Sequence, residues 1–232
     1  MKKYGLLSVL LLTTAFMFAQ TLTWKNQQFE LRNVKASLVQ LNSEQVLKVE
    51  RDLQALPFDV NNLSATVDEP TYVKLKDQSF SNGVIEVKVL SQIQNPSPFE
   101  NAQGFIGLAF RISERDSAFE SIYLRPKASR SESQFARNHT VQYYAYPNYK
   151  FDKLRNAEFK GEYETYADVG LNEWITLRIE VKGERAKLYI NNQKAPSFIV
   201  DKMKGSTTAG AIAMWVDIGT IGYFKDFKIT RL

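Results

Sequence analysis

Most of the side chains that could bind a ligand or move a proton lie in one third of the chain. Seven of the 11 tyrosines fall between Tyr123 and Tyr166, and the same stretch holds the single histidine, His139, and several arginines. Tyrosine rings stack on the apolar C–H face of a sugar ring, while arginine and glutamine side chains bind its hydroxyl groups. The sequence therefore predicts that this stretch holds the functional site.

Two strand-like segments in this stretch each place polar and aromatic side chains on one face. In 119–125 the alternation puts Tyr123 and Arg125 on the same face, and in 140–146 it does the same for a glutamine and a tyrosine. If the two strands are neighbours in a sheet, these four side chains share one face, and the loop between the strands adds others. The predicted ligand-binding residues are Tyr123, Arg125, Arg137, Gln142 and Tyr144. The alternative is that the tyrosines only cover the outside of a sheet or brace the loop.

His139 ends a polar loop and has tyrosines and arginines as neighbours in the sequence. An imidazole titrates near neutral pH, so His139 is a candidate general base, with Glu120 or a tyrosine as its catalytic partner. This combination suits β-elimination from a uronic acid, because arginine neutralises the sugar carboxylate. The alternative is a surface histidine that only makes hydrogen bonds. A further pair, Glu162 and Glu164, is either an acid–base pair or a solvated acidic edge.

The composition excludes several kinds of site. The chain has no cysteine, which removes disulfides, thiolate zinc sites and iron–sulfur clusters, and one histidine cannot form a multi-histidine metal centre. We predict no cofactor and no metal, and structural calcium held by scattered carboxylates and carbonyls stays open. The net charge of +5 comes from basic residues interleaved with acids, so nucleic-acid binding is not predicted. Locally, Arg125, Arg130 and Arg137 favour an acidic sugar.

The rest of the chain predicts the strands that hold this stretch in place. Apolar and polar residues alternate in 83–90, 174–182 and 185–191, and Lys182-Gly183-Glu184 joins the last two runs into a hairpin. Residues 105–112 are apolar on both faces, as expected for a central strand that is covered on both sides. About a dozen short strands and no long helix predict an all-β fold, a two-sheet antiparallel β-sandwich or jelly roll.

Residues 1–19 have the three parts of a secretory signal peptide. Lys2 and Lys3 form a positively charged start, an apolar run extends from Leu6 to Phe18, and Ala19 is a small residue at the expected cleavage site. The alternative is a buried N-terminal helix. We expect residues 20–232 to form a single exported β-sandwich domain without membrane insertion. Export of a chain without cysteine favours a bacterial periplasmic or extracellular location.

Several segments resemble concanavalin A-like lectin/glucanase domains, with the laminin-G-like and 3-keto-disaccharide hydrolase branches nearest. The resemblance extends over residues 83–232 and rests on Phe119–Pro126, Arg137–Tyr143, Trp174–Gly183, Ala186–Asn191, Gly210–Val216 and Tyr223–Phe227. It implies a jelly roll with a concave sheet that often binds or cleaves glycans. The acids of jelly-roll glucanases are not carried over, because Glu120 follows Glu114 and Asp116 one residue too late for that motif.

These observations lead to one first hypothesis and two alternatives. The first is an exported, lectin-like protein that binds oligo- or polysaccharides. The second is a glycoside hydrolase or polysaccharide lyase that uses the same face, with His139 and Glu120 in catalytic roles. The third is a non-catalytic interaction domain of the cell envelope. Clustering of His139, Arg125, Glu120 and a tyrosine in a cleft favours the enzyme. A shallow tyrosine platform without a titratable pair favours the lectin, and a flat surface over buried tyrosines favours the third.

Overall fold

The computed structural model describes residues 20–232, so the predicted signal peptide, residues 1–19, lies outside the described part of the chain. The strands in chain order are β1 (Thr21–Trp24), β2 (Gln27–Arg32), β3 (Val34–Leu41), β4 (Glu44–Arg51), β5 (Tyr72–Leu75), β6 (Gly83–Ile93), β7 (Ile106–Ile112), β8 (Phe119–Leu124), β9 (Val141–Tyr146), β10 (Glu164–Thr165), β11 (Ile175–Lys182), β12 (Arg185–Ile190), β13 (Phe198–Val200), β14 (Ala211–Val216) and β15 (Thr220–Arg231).

These strands form two stacked sheets. One sheet has eight strands in the order β1-β2-β5-β14-β7-β8-β9-β10, and the other has seven in the order β13-β12-β11-β6-β15-β4-β3. All of these neighbours pair antiparallel, although several, such as β14 and β7, lie far apart in the sequence. Two antiparallel sheets linked by such crossovers form a jelly-roll β-sandwich, which confirms the predicted fold class.

The predicted hairpin is confirmed by the pairing of β11 with β12. Their register runs from Leu177 opposite Ile190 to Lys182 opposite Arg185. Gly183 makes the turn with a φ of 58°, a left-handed conformation that glycine adopts without steric cost. The apolar positions of β11 are buried and the polar positions between them are more exposed, because successive side chains of a strand point to opposite faces.

Strand β7 lies in the middle of the eight-stranded sheet, and all of its residues are buried. This confirms the prediction made from its two apolar faces. Ile106, Leu108 and Phe110 pack in the core between the sheets, on what we call the inner face of the eight-stranded sheet. Gly107 and Ala109 lie on the opposite, outer face, which is therefore covered as well.

Short helices in the connections cover part of this outer face. They are α1 (Leu63–Thr66), α2 (Pro126–Ser129), α3 (Gln134–Asn138) and α4 (Phe151–Leu154); a 3-10 helix at Ala157–Phe159 follows α4 and packs against Tyr163. The predicted polar loop between β8 and β9 thus contains two helices. Pro126 begins α2, and the buried Ser129 Oγ donates to the carbonyl of Ala167 at 2.7 Å, which anchors the segment. None of the helices in residues 20–232 is long and apolar enough to cross a membrane.

Candidate functional site

A row of aromatic side chains crosses the outer face of the eight-stranded sheet. The strand register places Tyr72, Trp215, Gly107, Tyr123 and Gln142 side by side on β5, β14, β7, β8 and β9. Gly107 has no side chain, so the rings of Trp215 and Tyr123 meet above it, with 4.8 Å between their centroids. Both rings are almost fully buried. The row therefore forms a packed aromatic floor and not an open platform.

Arg125 follows β8 directly and lies at the end of this floor. Its side chain is buried, with only 6% of its surface exposed, and its guanidinium lies 4.8 Å from the centroid of the Tyr123 ring. Nη1 donates to the backbone carbonyl of His139 at 2.9 Å and to Oε1 of Gln142 at 3.2 Å, and Nη2 donates to the hydroxyl of Tyr123. Three of the predicted binding residues are therefore brought together in one hydrogen-bonded group.

A pocket of about 680 Å³ opens above this group. Its volume is in the range of pockets that bind small molecules. Its walls come from connections between strands, and its aromatic lining residues are Phe99, Phe105, Tyr123, Phe135 and Phe151. Its charged or titratable lining residues are Asp68, Arg125, Lys127, Arg130, His139, Arg155 and Asp217. The pocket therefore combines an apolar wall with a few polar groups, which is the usual composition of a ligand site.

Two buried aspartates line the pocket beside Arg125. Asp217 forms a buried ion pair with Arg51, with 2.7 Å between Oδ1 and Nη1, and its Oδ2 accepts the backbone N–H of Asp68 at 2.9 Å. Asp68 has a φ of 55°, and its Oδ2 accepts the backbone N–H of Phe151, the first residue of α4, at 2.8 Å. Its other oxygen, Oδ1, accepts no hydrogen bond within residues 20–232.

The surroundings of Asp68 favour its neutral form. Burial is the main cause and Asp217 adds to it, so that the pKa of Asp68 rises to about 7, although the N–H of Phe151 acts in the opposite direction. Burial likewise raises the pKa of Asp217, which Arg51 counteracts. Because Asp217 has a cation at 2.7 Å and Asp68 has none within ion-pair distance, we assign the charge of the pair to Asp217.

His139 lies at the pocket wall, where it ends α3. Its Nδ1 lies 2.6 Å from Oε2 of Glu164, which Arg155 also binds at 3.0 Å. The N–H direction misses the carboxylate, so neither buried ring nitrogen has a partner in hydrogen-bond geometry. Burial and the Arg155 charge lower the pKa of His139 below its usual value, against the effect of Glu164. The imidazole is therefore neutral at pH 7, and its ring packs edge-on against Phe135, 4.4 Å away.

Three predicted binding residues, Tyr144, Arg137 and Gln142, lie outside the pocket lining. Tyr144 is on the same sheet face as Tyr123, with 5.7 Å between their ring centroids, but it is fully buried beneath the covering segments. Arg137 is on the surface of α3, where it donates to the hydroxyl of Tyr166 at 2.9 Å and lies over that ring. Gln142 is also fully buried, and it acts by holding Arg125 in place.

Glu120 lies on the inner face, away from His139 and Arg125. Because side chains alternate along β8, Glu120 points to the same side as Ile122. Its carboxylate accepts hydrogen bonds from the Tyr143 hydroxyl and, at 3.0 Å, from the Gly205 N–H. Burial raises the pKa of Glu120 to about 7, and the hydrogen bonds of Tyr143 and Gly205 counteract this rise. The expected partnership of Glu120 with His139 is therefore not formed, because the two lie on opposite faces of the sheet.

The sequence analysis did not identify the pocket's acids or its most exposed aromatic ring. Asp68 and Asp217 come from two connections 149 residues apart, and no motif links them. Phe135 is 72% exposed at the pocket mouth, and an apolar ring inside a polar loop was the available signal. Within residues 20–232, no three or more histidine, aspartate or glutamate side chains group together as a metal site.

The two antiparallel sheets and their strand order define a jelly-roll β-sandwich. The chain is similar to the carbohydrate-binding module CBM66 from Bacillus subtilis, with a TM-score of 0.50, 12% identity and coverage of 85% of this chain and 94% of that one. It is also similar to a β-glucanase from Bacillus licheniformis, with a TM-score of 0.45, 10% identity and coverage of 86% and 83%. The likeness to the carbohydrate-binding module, at 12% identity, establishes the fold alone.

Sequence comparisons add no closer relationship. No protein-family model matches the chain, and no curated protein matches it in sequence.

Proposed function

We propose that this protein is a lectin-like carbohydrate-binding protein that holds an oligo- or polysaccharide in the pocket above Arg125. The observation that carries the proposal is the composition of that pocket, in which aromatic walls surround a few buried polar groups, and not the open tyrosine platform expected from the sequence. The similarity to a carbohydrate-binding module on the same fold supports it. Export to a bacterial periplasm or cell exterior is part of the proposal and rests on residues 1–19; N-terminal sequencing of the recovered protein would check it.

The chemistry of the pocket matches that of a sugar ring. A pyranose has an apolar C–H face and a rim of hydroxyl groups, so it needs an aromatic ring on one side and hydrogen-bonding groups around it. Phe135 offers an exposed ring at the mouth. Arg125 and Tyr123 offer donors at the floor, because the Tyr123 hydroxyl accepts from Arg125 and its own hydrogen has no acceptor within residues 20–232.

Phe135→Ala tests the proposal with little risk to the fold, because the ring is mostly exposed. We expect the affinity for the best ligand on a glycan array, measured by calorimetry, to fall about tenfold, which corresponds to ~1.4 kcal/mol. The melting temperature should stay unchanged. Ile199→Ala is the matched control, since Ile199 is a partly exposed apolar residue on β13, in the other sheet. Equal affinities of the wild type and Phe135→Ala would contradict the proposed site.

A polysaccharide-active enzyme is the second candidate, and Asp68 is the observation that favours it. A carboxyl group with a pKa of about 7 can act as an acid or a base at neutral pH, and it faces the same pocket as Arg125 and the neutral His139. Incubation with the oligosaccharides that bind, followed by reducing-end and unsaturated-product assays, separates the two functions. Products that disappear in Asp68→Asn would establish the enzyme, and bound sugars that stay intact would exclude it.

A further inference from the structure

Arg125 is a buried cation that has no ion-pair partner within residues 20–232. No carboxylate oxygen of residues 20–232 lies within 4.0 Å of its guanidinium, and its three hydrogen bonds go to a carbonyl, an amide oxygen and a phenol. A buried charge without a counter-charge is costly, and proteins normally pair it. Nε and one hydrogen of Nη2 have no acceptor in the described residues. Arg125 lines the pocket, so a ligand bound there can reach its charge and its free N–H groups.

The other cations of the pocket differ from Arg125. Arg130 is bound by Glu173 at 2.9 Å, and Arg155 is bound by Glu164 at 3.0 Å. Lys127 is exposed to solvent, which compensates its charge. The charge imbalance of the pocket is therefore concentrated on the buried guanidinium of Arg125.

Two groups beside this guanidinium can also donate a hydrogen bond to a ligand. The Tyr123 hydroxyl has a free hydrogen, since it accepts from Arg125, and burial raises its pKa so that it stays a neutral phenol. Asp68 presents Oδ1 without a donor from residues 20–232, and its carboxyl group carries a proton when neutral. A ligand group that satisfies all of these donors has several acceptor oxygens and a negative charge.

On the basis of the proposed function, we infer that the pocket selects a carboxylated saccharide, a uronate, whose carboxylate binds the free edge of Arg125 beside Tyr123 and Asp68. The planar guanidinium matches a carboxylate through two parallel hydrogen bonds, which a neutral sugar hydroxymethyl group cannot form. The aromatic wall of the pocket then contacts the sugar ring itself. The neutral carboxyl group of Asp68 donates a hydrogen bond in place of repelling the ligand.

The test compares each uronate oligosaccharide with its carboxyl-reduced neutral counterpart. The panel contains galacturonate, glucuronate, mannuronate and guluronate oligomers, and binding is measured by calorimetry at pH 6. We expect the best uronate to bind at least about tenfold more tightly than its reduced form. Neutral oligomers that bind as tightly as the uronates would overturn the inference and leave saccharide binding intact. Absence of binding by every oligomer, charged or neutral, would overturn both the inference and the proposed function.

Two arginine variants locate the preference. Arg125→Met should bring the uronate and the reduced oligomer to equal affinity, whereas Arg185→Met should keep the preference, because Arg185 lies on β12 in the other sheet, where it pairs with Asp201. A preference that survives Arg125→Met in a folded variant overturns the inference. If Arg125→Met does not fold, Arg125→Lys replaces it and should reduce the preference, because lysine keeps the charge and loses the bidentate geometry.

The pH dependence gives an independent readout. Asp217, Arg125 and Lys150 are the charged groups that act on Asp68, together with the N–H of Phe151. As the pH rises from 6 to 8, Asp68 loses its proton and repels the uronate, so the affinity should fall about tenfold. In Asp68→Asn the affinity should not fall over this range. An equal fall in the wild type and in Asp68→Asn would remove Asp68 from the carboxylate site.

Discussion

Two buried carboxyl groups on opposite sides of the eight-stranded sheet share a raised pKa and differ in nearly everything else. Glu120, on the inner face, accepts hydrogen bonds from Tyr143 and Gly205 with its two oxygens, and the core surrounds it. Asp68, on the outer side, has one oxygen to which no group of the described residues donates, and it faces a pocket that also holds Arg125, which those residues leave without an ion pair. Burial alone therefore does not identify a functional acid. The group that is buried and still lacks a partner is the better indicator of a ligand.

The largest expected effect is on the pH dependence of stability. For both acids the pKa of the folded state lies above that of the unfolded state, so the stability that their neutral forms contribute is fully present below about pH 4 and is lost as the pH rises through about 7. Asp68→Asn and Glu120→Gln remove this dependence. The change in the free energy of unfolding between pH 4 and 8 should therefore shrink by up to ~4 kcal/mol in Asp68→Asn and by up to ~3 kcal/mol in Glu120→Gln. Urea unfolding between pH 4 and 8 measures both.

Ligand separates the two acids in the same experiment. A saturating uronate should change the part of the pH dependence of the unfolding free energy that is lost in Asp68→Asn. It should leave the part that is lost in Glu120→Gln unchanged, because of these two acids only Asp68 faces the pocket. An equal response of both acids to ligand would remove the distinction drawn between them.

A smaller effect is expected where the inner-face acid loses its donor. Tyr143→Phe leaves Glu120 and the N–H of Lys204 without the hydroxyl that joins them, so the free energy of unfolding should fall by about 1–3 kcal/mol. Tyr189→Phe is the matched control, since its partner Glu180 stays accessible to water, and it should lose less. Saccharide affinity should be unchanged in both variants. Weaker binding in Tyr143→Phe alone would place the inner face in the ligand site.

The smallest effect is expected at the surface of α3. The Arg137 side chain is half-buried at the surface and binds the ring and hydroxyl of the exposed Tyr166, so Arg137→Ala should change the free energy of unfolding by less than about 1 kcal/mol and leave saccharide affinity unchanged. Thermal melts and calorimetry measure both quantities. A tenfold loss of affinity would return Arg137 to the ligand site, in agreement with the sequence analysis.

Local periodicity was sufficient to predict the parts of the fold that depend on it. The alternation in β11 and β12 predicts their hairpin, and the two apolar faces of β7 predict its central position. The same alternation places Tyr123 and Arg125 on one face. It cannot show whether that face is open, because the covering segments fold back through contacts such as that of Ser129 with Ala167.

The acids of the pocket depend on non-local structure. Asp68 and Asp217 meet because β5 and β14 are neighbours in the sheet, a strand order that no local pattern encodes. Glu120 is close to Arg125 in the sequence and still lies on the other face, because an odd separation along a strand reverses the direction of the side chain. Sequence proximity was therefore a poor guide to which charged groups face each other.

The floor and the walls of the pocket have separate origins. Tyr123 and Gln142 belong to paired strands, whereas the walls come from the connections that contribute residues 63–68, 99–105, 127–139 and 151–155. Connections on a surface tolerate changes in length and sequence far better than the strands they join. Substitution of one of these connecting segments, in evolution or by design, can therefore change which ligand the pocket binds, while the β-sandwich and the buried Arg125 stay in place.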